Sequence, residues 1–207
     1  MWRTSATNTT PLPERVVLDA TVLRSLGVLS LGAALLTLWD CVIVNTIFDP
    51  PDGGELGRIT MSISAECERM QHGSSSSSRW GSALEGLTKL QRQLSEESVS
   101  ATNEDEQVLA HQLSSKDPTW RLWRNEMGIG ARRIDDGEAA CIAVAVTRGM
   151  QFATDDKPAV AAFKSLTSSR AFSTFDALDQ LASLGHIEDL EGLERRLIHL
   201  RGPQRSR

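Results

Sequence analysis

The stretch that decides the fold is IDDGEAACIAVAVTRGMQFATDDKPAV, which spans residues 134–160. Its apolar run AACIAVAV, at residues 139–146, has no polar face and predicts a fully buried helix, which Arg148-Gly149 would close. Met150–Thr154 then predicts a short strand, and residues 157–166 predict another helix. A short strand between two helices is typical of parallel βαβ units, so this stretch predicts an α/β fold.

The sequence on the N-terminal side adds two strands to this pattern. Arg15–Asp19 predicts a short buried strand that ends in an acid, and Cys41–Val44 predicts a second, β-branched strand. Between them, residues 21–38 predict one helix that is apolar on most faces. Further helices are predicted at 81–94, from Asn103 to Asp117-Pro118, and over 175–200. We therefore expect a mainly parallel central sheet that helices cover on both faces.

Composition predicts one domain with two loose ends. Residues 1–13 are polar and contain Thr and Pro, which predicts a flexible tail. Residues 14–200 are expected to form a single domain with a Gly- and Ser-rich insertion at about 50–80, which includes five consecutive serines. Residues 201–207 are expected to form a basic tail.

Charge and aromatic content restrict how this chain could act on nucleic acid. The formal net charge is -5, whereas a protein that grips phosphates mainly through charge is expected to be basic. Tyr is absent, and there are only five Trp and five Phe, which argues against an extended base-stacking surface. A bound divalent cation would therefore have to supply the local attraction for phosphate.

The cysteines and histidines do not predict a zinc site. The three cysteines are an odd number without a CxxC motif, and we expect them to be buried, reduced thiols of a cytoplasmic protein. The four histidines lie far apart and lack ligand spacing.

No membrane segment is expected. Residues 25–39 form an uncharged run of 15 residues, which is shorter than the roughly 20 residues that a span needs. A small membrane-anchored protein that depends on residues 25–48 is the alternative, and cell fractionation would test it.

Acidic residues follow predicted strands or begin a predicted helix. Asp19 ends one strand, Asp155 and Asp156 end another, and Asp136 and Glu138 begin the apolar helix. Sites in parallel sheets form outside the carboxyl ends of the strands, so these carboxylates are expected to converge. Their repulsion would be relieved by Mg²⁺ or Mn²⁺, which prefer oxygen ligands. Two such ions about 4 Å apart can activate water and stabilise the leaving oxygen of a phosphodiester.

Each of these acids also has an ordinary structural explanation. Asp135 or Asp136 can be a helix cap worth about 1 kcal/mol, and Glu138 can simply favour the helix dipole. Asp155-Asp156 can form a turn. We prefer a shared site because three such coincidences would also have to coincide with the strand-terminal Asp19.

Two segments resemble the PIN-domain family of nucleases. VVLDATVL, at residues 16–23, resembles the opening strand of the family with its first metal-binding aspartate, and residues 134–160 resemble its passage of DxGEA, apolar helix, strand and TDD. The resemblance implies a three-layer α/β/α fold, bound Mg²⁺ or Mn²⁺, and endonucleolytic cleavage of RNA. Many small family members are toxins that a cognate antitoxin neutralises, as in VapBC-like pairs, and the resemblance also favours a homodimer.

The resemblance also implies roles for individual acids. Asp19 would be the first metal ligand, Glu138 the central acid, and Asp155 or Asp156 the last; the sequence does not decide between these two. The family usually has one more acid after the second strand, for which Glu66 and Asp49 are the candidates.

The absence of a clear second acid supports an alternative function. A catalytically impaired PIN-like domain would serve as a protein- or RNA-binding module. In an active enzyme, nearby basic side chains would either contact phosphates or be solvated surface charges; they are Arg132, Arg133, Arg148, Lys157 and Lys164.

Overall fold

The structure is a computed structural model. It describes residues 15–45, 47, 85–90, 92, 99–130 and 133–201. The predicted N-terminal tail, the Gly- and Ser-rich insertion, Asp49, Glu66 and residues 202–207 lie outside the described residues.

A small parallel sheet forms the centre of the described structure. Its strands are β1 (Val16–Leu18), β2 (Cys41–Val44), β3 (Val99–Ser100) and β4 (Gln151–Ala153). They lie in the order β3-β2-β1-β4, and every neighbouring pair is parallel. Val16 of β1 pairs with Cys41 on one side and Gln151 on the other, so the carboxyl ends of these three strands share one edge.

Helices pack against this sheet, which confirms the predicted α/β class with parallel strands. They are α1 (Ala20–Val28), α2 (Gly32–Leu38), α3 (Glu104–Ser114), α4 (Pro118–Glu126), α5 (Asp136–Thr147), α6 (Lys157–Thr167), α7 (Thr174–Ser183) and α8 (Leu190–Arg201). Residues 85–90 are also helical. No helix in the described part of the chain is both long and apolar enough to cross a membrane.

The apolar helix α5 is the buried centre of the fold, as its composition predicts. Residues 139–145 are all buried, and the helix packs against α3, α6 and three strands of the sheet. The Cys141 thiol points at the sheet and donates a weak hydrogen bond to the carbonyl oxygen of Leu18, 3.7 Å away. A helix that is apolar on every face is stable only when it is enclosed in this way.

The prediction of a single helix over residues 21–38 is wrong. The helix breaks after Val28, because Ser30 adopts a left-handed conformation with φ of 60°. The amide of Leu31 donates to the carbonyl oxygen of Leu26 at 2.8 Å, a pattern that ends helices. The local sequence does not reveal this break, because its apolar residues continue without interruption.

Contacts with a distant helical segment explain the positions of the glycines around this break. A Cβ atom at Gly27 would lie 2.7 Å from Leu87 Cδ2, and one at Gly86 would overlap the carbonyl oxygen of Gly27. The backbones of α1 and of residues 85–90 are therefore in close contact, which any side chain at these glycines would disturb.

An ion pair between the buried Glu106 and the partly exposed Arg148 joins α3 to the end of α5. Glu106 is 0% exposed, and its carboxylate accepts hydrogen bonds from Arg148 Nε at 2.6 Å and from Nη2 at 3.0 Å. Glu106 also accepts from the amide of Asn103, which completes a capping box at the start of α3. Hydrogen bonds from Arg148 lower the pKa of Glu106. Arg148 is thus held by the fold, which makes it a poor candidate for a phosphate contact.

Candidate functional site

Asp19 lies at the end of the central strand and caps the helix that follows. Its side chain is 0% exposed. Oδ1 accepts a hydrogen bond from the amide of Ala20 at 2.7 Å, and Oδ2 accepts from the hydroxyls of Thr21 at 2.6 Å and Thr154 at 2.9 Å. An acid directly after a strand and before a helix is well suited to capping. Asp19 is therefore fixed in orientation at the carboxyl edge of the sheet.

The two threonines connect Asp19 to the end of β4. Thr21 Oγ1 accepts a hydrogen bond from the amide of Asp155, and Thr154 Oγ1 accepts one from the amide of Asp156, each at 3.1 Å. Each hydroxyl thus accepts from the β4 end and donates to the same oxygen of Asp19. Neither threonine was predicted from the sequence to take part in the site, although each lies within two residues of a strand-terminal acid.

Burial raises the pKa of Asp19 above its usual value. Its hydrogen bonds to Thr21, Thr154 and the backbone act in the opposite direction but do not cancel the loss of hydration. A carboxylate in this position is stabilised by a nearby cation, because a positive charge compensates for the lost water.

Glu138 connects α5 to the same cluster of acids. It lies in the first turn of α5 and is half-buried. Its pKa rises to about 8, first because burial removes water and then because of repulsion from Asp156, Asp19 and Asp135. Acids at the end of β1, at the end of β4 and at the start of α5 therefore all repel the ionised form of Glu138.

The adjacent acids Asp155 and Asp156 have different surroundings. Asp156 caps α6, and its Oδ1 accepts from the amide of Ala159 at 3.0 Å. Asp155 instead accepts from the amide of Thr174 at 2.9 Å and from the Thr174 hydroxyl. Ser25 Oγ lies 3.5 Å from the same carboxylate of Asp155. Asp155 is thus bound to the start of α7, whereas Asp156 contributes to the field at Glu138.

Asp136 and Asp135 are both exposed at the start of α5. Asp135 is among the groups that raise the pKa of Glu138, and Asp136 is not. Asp135 Oδ1 also lies 3.9 Å from Arg133 Nη2, a distant and solvated ion pair. Asp135 therefore belongs to the cluster, although the sequence did not predict it to be a ligand.

The donor chemistry of the cluster suits Mg²⁺ or Mn²⁺, but the atoms are not already arranged around an ion. Carboxylate oxygens are the preferred ligands of these ions. In the described part of the chain, no three His, Cys, Asp or Glu side chains form a group that is ready to hold a metal.

The chain has no match in comparisons with protein-family models, with curated proteins or with solved structures.

Proposed function

We propose that this chain is a metal-dependent endoribonuclease with a three-layer, PIN-like architecture that acts in the cytoplasm. It would hydrolyse RNA phosphodiester bonds with Mg²⁺ or Mn²⁺. Among the described residues, the ion would be held by Asp19, Glu138 and Asp156, with Asp155 and Asp136 as the remaining candidates. Either Glu66 or Asp49 would supply a further acid.

The observation that carries this proposal is that acids from three elements meet at one edge of the sheet. Asp19 follows β1, Asp156 follows the neighbouring strand β4, and Glu138 lies in the first turn of α5. In support, the pKa of Glu138 is raised to about 8, first by burial and then by repulsion from Asp156 and Asp19. Holding three acids near one another without a cation destabilises the folded state, and pKa values perturbed in this way are concentrated at functional sites. A divalent cation would favour the ionised form of Glu138 and relieve the repulsion.

The described residues support a division of roles in such a site. Asp19 is preorganised by Thr21 and Thr154, so little side-chain entropy would be lost when it binds an ion. When bound, the ion supplies charge neutralisation for the phosphodiester and lowers the pKa of a bound water. Lys157, exposed beside Asp156, is available to contact a phosphate of the substrate.

We further propose that the enzyme is the toxin of a toxin–antitoxin pair and forms a homodimer. This part of the proposal depends on the sequence resemblance alone. Co-expression with the product of a neighbouring small reading frame would test it: growth arrest by this chain alone, and rescue by the partner, is the expected result.

The test of the nuclease compares Asp19→Asn with the wild type and with Glu126→Gln, which changes an exposed acid on α4. We expect Mn²⁺ to raise the melting temperature of the wild type and of Glu126→Gln, because binding to the folded state stabilises it. Asp19→Asn should lose this rise together with all metal-dependent RNA cleavage, and should still unfold cooperatively. Full cleavage by folded Asp19→Asn would disprove the proposal.

One observation favours a second function, that of a PIN-like binding module without cleavage activity. The described carboxylates do not form a ready metal-binding group of three. Such a module would bind a protein or RNA partner, and its melting temperature would not respond to Mn²⁺.

A further inference from the structure

The pair Asp155-Asp156 ends β4, and the two carboxylates have different partners. Successive residues of an extended chain point to opposite sides, so a pair at a strand end can serve two purposes. Asp155 contacts elements on the α7 side, and Asp156 caps α6.

The hydrogen bonds of Asp155 join three elements that are distant in sequence. Its carboxylate accepts from both the amide and the hydroxyl of Thr174, which is 0% exposed, and Ser25 Oγ of α1 lies within 3.5 Å. Its own amide donates to Thr21 Oγ1. A carboxylate that accepts charge-assisted hydrogen bonds from two donors of one buried residue is an anchor for that residue.

Asp156 is linked to the candidate site by a short path. Its amide donates to Thr154 Oγ1, whose proton is donated to Asp19 Oδ2 2.9 Å away. Its Oδ1 holds the first turn of α6 through Ala159, and the backbone that carries it is fixed by the neighbouring Asp155. A shift of the β4 end would therefore move Thr154 and Asp156 together.

We infer that Asp155 is a positioning residue and that Asp156 is the metal-binding member of the pair. Asp155 fastens the carboxyl end of β4 to Thr174 and so fixes the position from which Asp156 acts with Asp19. This inference rests on the proposed function for its metal-binding half. The anchoring half depends only on the contacts of Asp155.

The experiment has a metal-free arm and a metal-binding arm. In EDTA, urea unfolding of Asp155→Asn, Thr174→Val and the double variant measures the coupling between the two residues. We expect the double variant to be no less stable than the less stable of the two single variants, because both changes remove the same contact. Additive losses would overturn the anchoring role.

In the second arm, Mn²⁺ affinity is measured from the electron paramagnetic resonance signal of free Mn²⁺. We expect Asp156→Asn to weaken binding by at least about tenfold, and Asp155→Asn and Thr174→Val by about two- to fivefold. Thr174→Ser, which keeps the hydroxyl donor, should restore wild-type affinity. A purely structural contact would leave the affinity of folded Thr174→Val unchanged, and this result would overturn the positioning role.

The two proposals fail in different ways. If Asp155→Asn loses Mn²⁺ binding as completely as Asp156→Asn, the wild type still binds and only the present inference is overturned. If the wild type itself does not bind Mn²⁺, the proposed function is overturned together with the metal-binding role of Asp156. The coupling measured in EDTA still decides whether Asp155 anchors Thr174.

Discussion

Thr154 Oγ1 lies 2.9 Å from Asp19 Oδ2, and this hydrogen bond joins the carboxyl ends of two neighbouring parallel strands. The same hydroxyl accepts from the amide of Asp156. A single buried side chain thus donates a hydrogen bond to the acid that follows β1 and accepts one from a backbone amide that follows β4. The strand ends are held in register by this bond as well as by the sheet.

Thr154→Val should destabilise the protein by about 1–3 kcal/mol, because it removes a donor from the buried carboxylate of Asp19 and an acceptor from the partly buried amide of Asp156. Valine has nearly the same shape, so the effect reports the hydroxyl and not a cavity. Urea unfolding measures the change. Thr154→Ser keeps the hydroxyl and is expected to lose less than half as much; equal stability of Thr154→Val and wild type would contradict the role assigned to this bond.

Glu138→Gln should make the stability of the metal-free protein depend less on pH between about pH 5 and pH 8. The pKa of Glu138 is raised to about 8 in the folded protein, so between about pH 5 and pH 8 the folded state retains a proton that the unfolded state has lost. The stability that this proton contributes is complete below the unfolded pKa and is lost as the pH rises towards 8. Because Gln does not titrate, the Glu138→Gln variant does not undergo this loss. Between about pH 5 and pH 8 its stability relative to the wild type should therefore increase by about 1–2 kcal/mol, after allowance for solvent screening.

The measurement is urea unfolding in EDTA at several pH values, with Glu126→Gln as the exposed control. Glu126→Gln should follow the pH profile of the wild type. Parallel pH profiles for Glu138→Gln and the wild type would mean that the fold does not raise the pKa of Glu138. Added Mn²⁺ should reduce the alkaline loss in the wild type, since a cation favours the ionised carboxylate.

The sequence predicts those features of the fold that depend on local pattern. The buried helix at residues 139–146 and the strand before Asp19 follow from runs of apolar residues that no exposed element would carry. The helix break at Ser30 was not predicted, because the apolar pattern continues through it. The close contact of Gly27 with residues 85–90 joins segments that are far apart in sequence. Local periodicity contains no information about such a contact.

For the candidate site, the sequence identifies the acids but not their surroundings. Asp19 and Glu138 stand out because strand ends and helix starts are visible in the sequence. The hydrogen bonds of Thr154 to Asp19 and of Thr174 to Asp155 depend on which segments are neighbours in the folded chain. The order of the strands in the whole sheet decides this. The separate environments of Asp155 and Asp156 likewise emerge only when α7 is in place.

Glu106→Gln should destabilise the protein by about 1–3 kcal/mol, because the buried Glu106 side chain loses its charge-assisted hydrogen bonds from the partly exposed Arg148. The pKa of Glu106 is lowered in the folded state, so its contribution to stability is complete above the unfolded pKa and is lost as the pH falls from the unfolded pKa through the lower folded one. Chemical unfolding at neutral and acidic pH measures both effects. Glu104→Gln, in the same helical turn but exposed, is the matched control and should cost only a few tenths of a kcal/mol.

Gly86→Ala should be far more destabilising than Gly27→Ala, although both glycines lie in the same contact between helical segments. A Cβ atom at Gly86 would overlap the backbone carbonyl oxygen of Gly27, which cannot move without shifting α1. A Cβ atom at Gly27 would meet Leu87 Cδ2, the end of a flexible side chain that can rotate away.

We expect Gly86→Ala to lose about 2–3 kcal/mol, as overpacked cores do, and Gly27→Ala to lose less than about 1 kcal/mol. Part of the overlap at Gly27 is offset because alanine favours the helix by about 1 kcal/mol relative to glycine. Thermal and urea unfolding of the two variants give the comparison directly. The reverse order of stability would mean that residues 85–90 do not pack against α1 in solution as closely as Gly27 and Gly86 require.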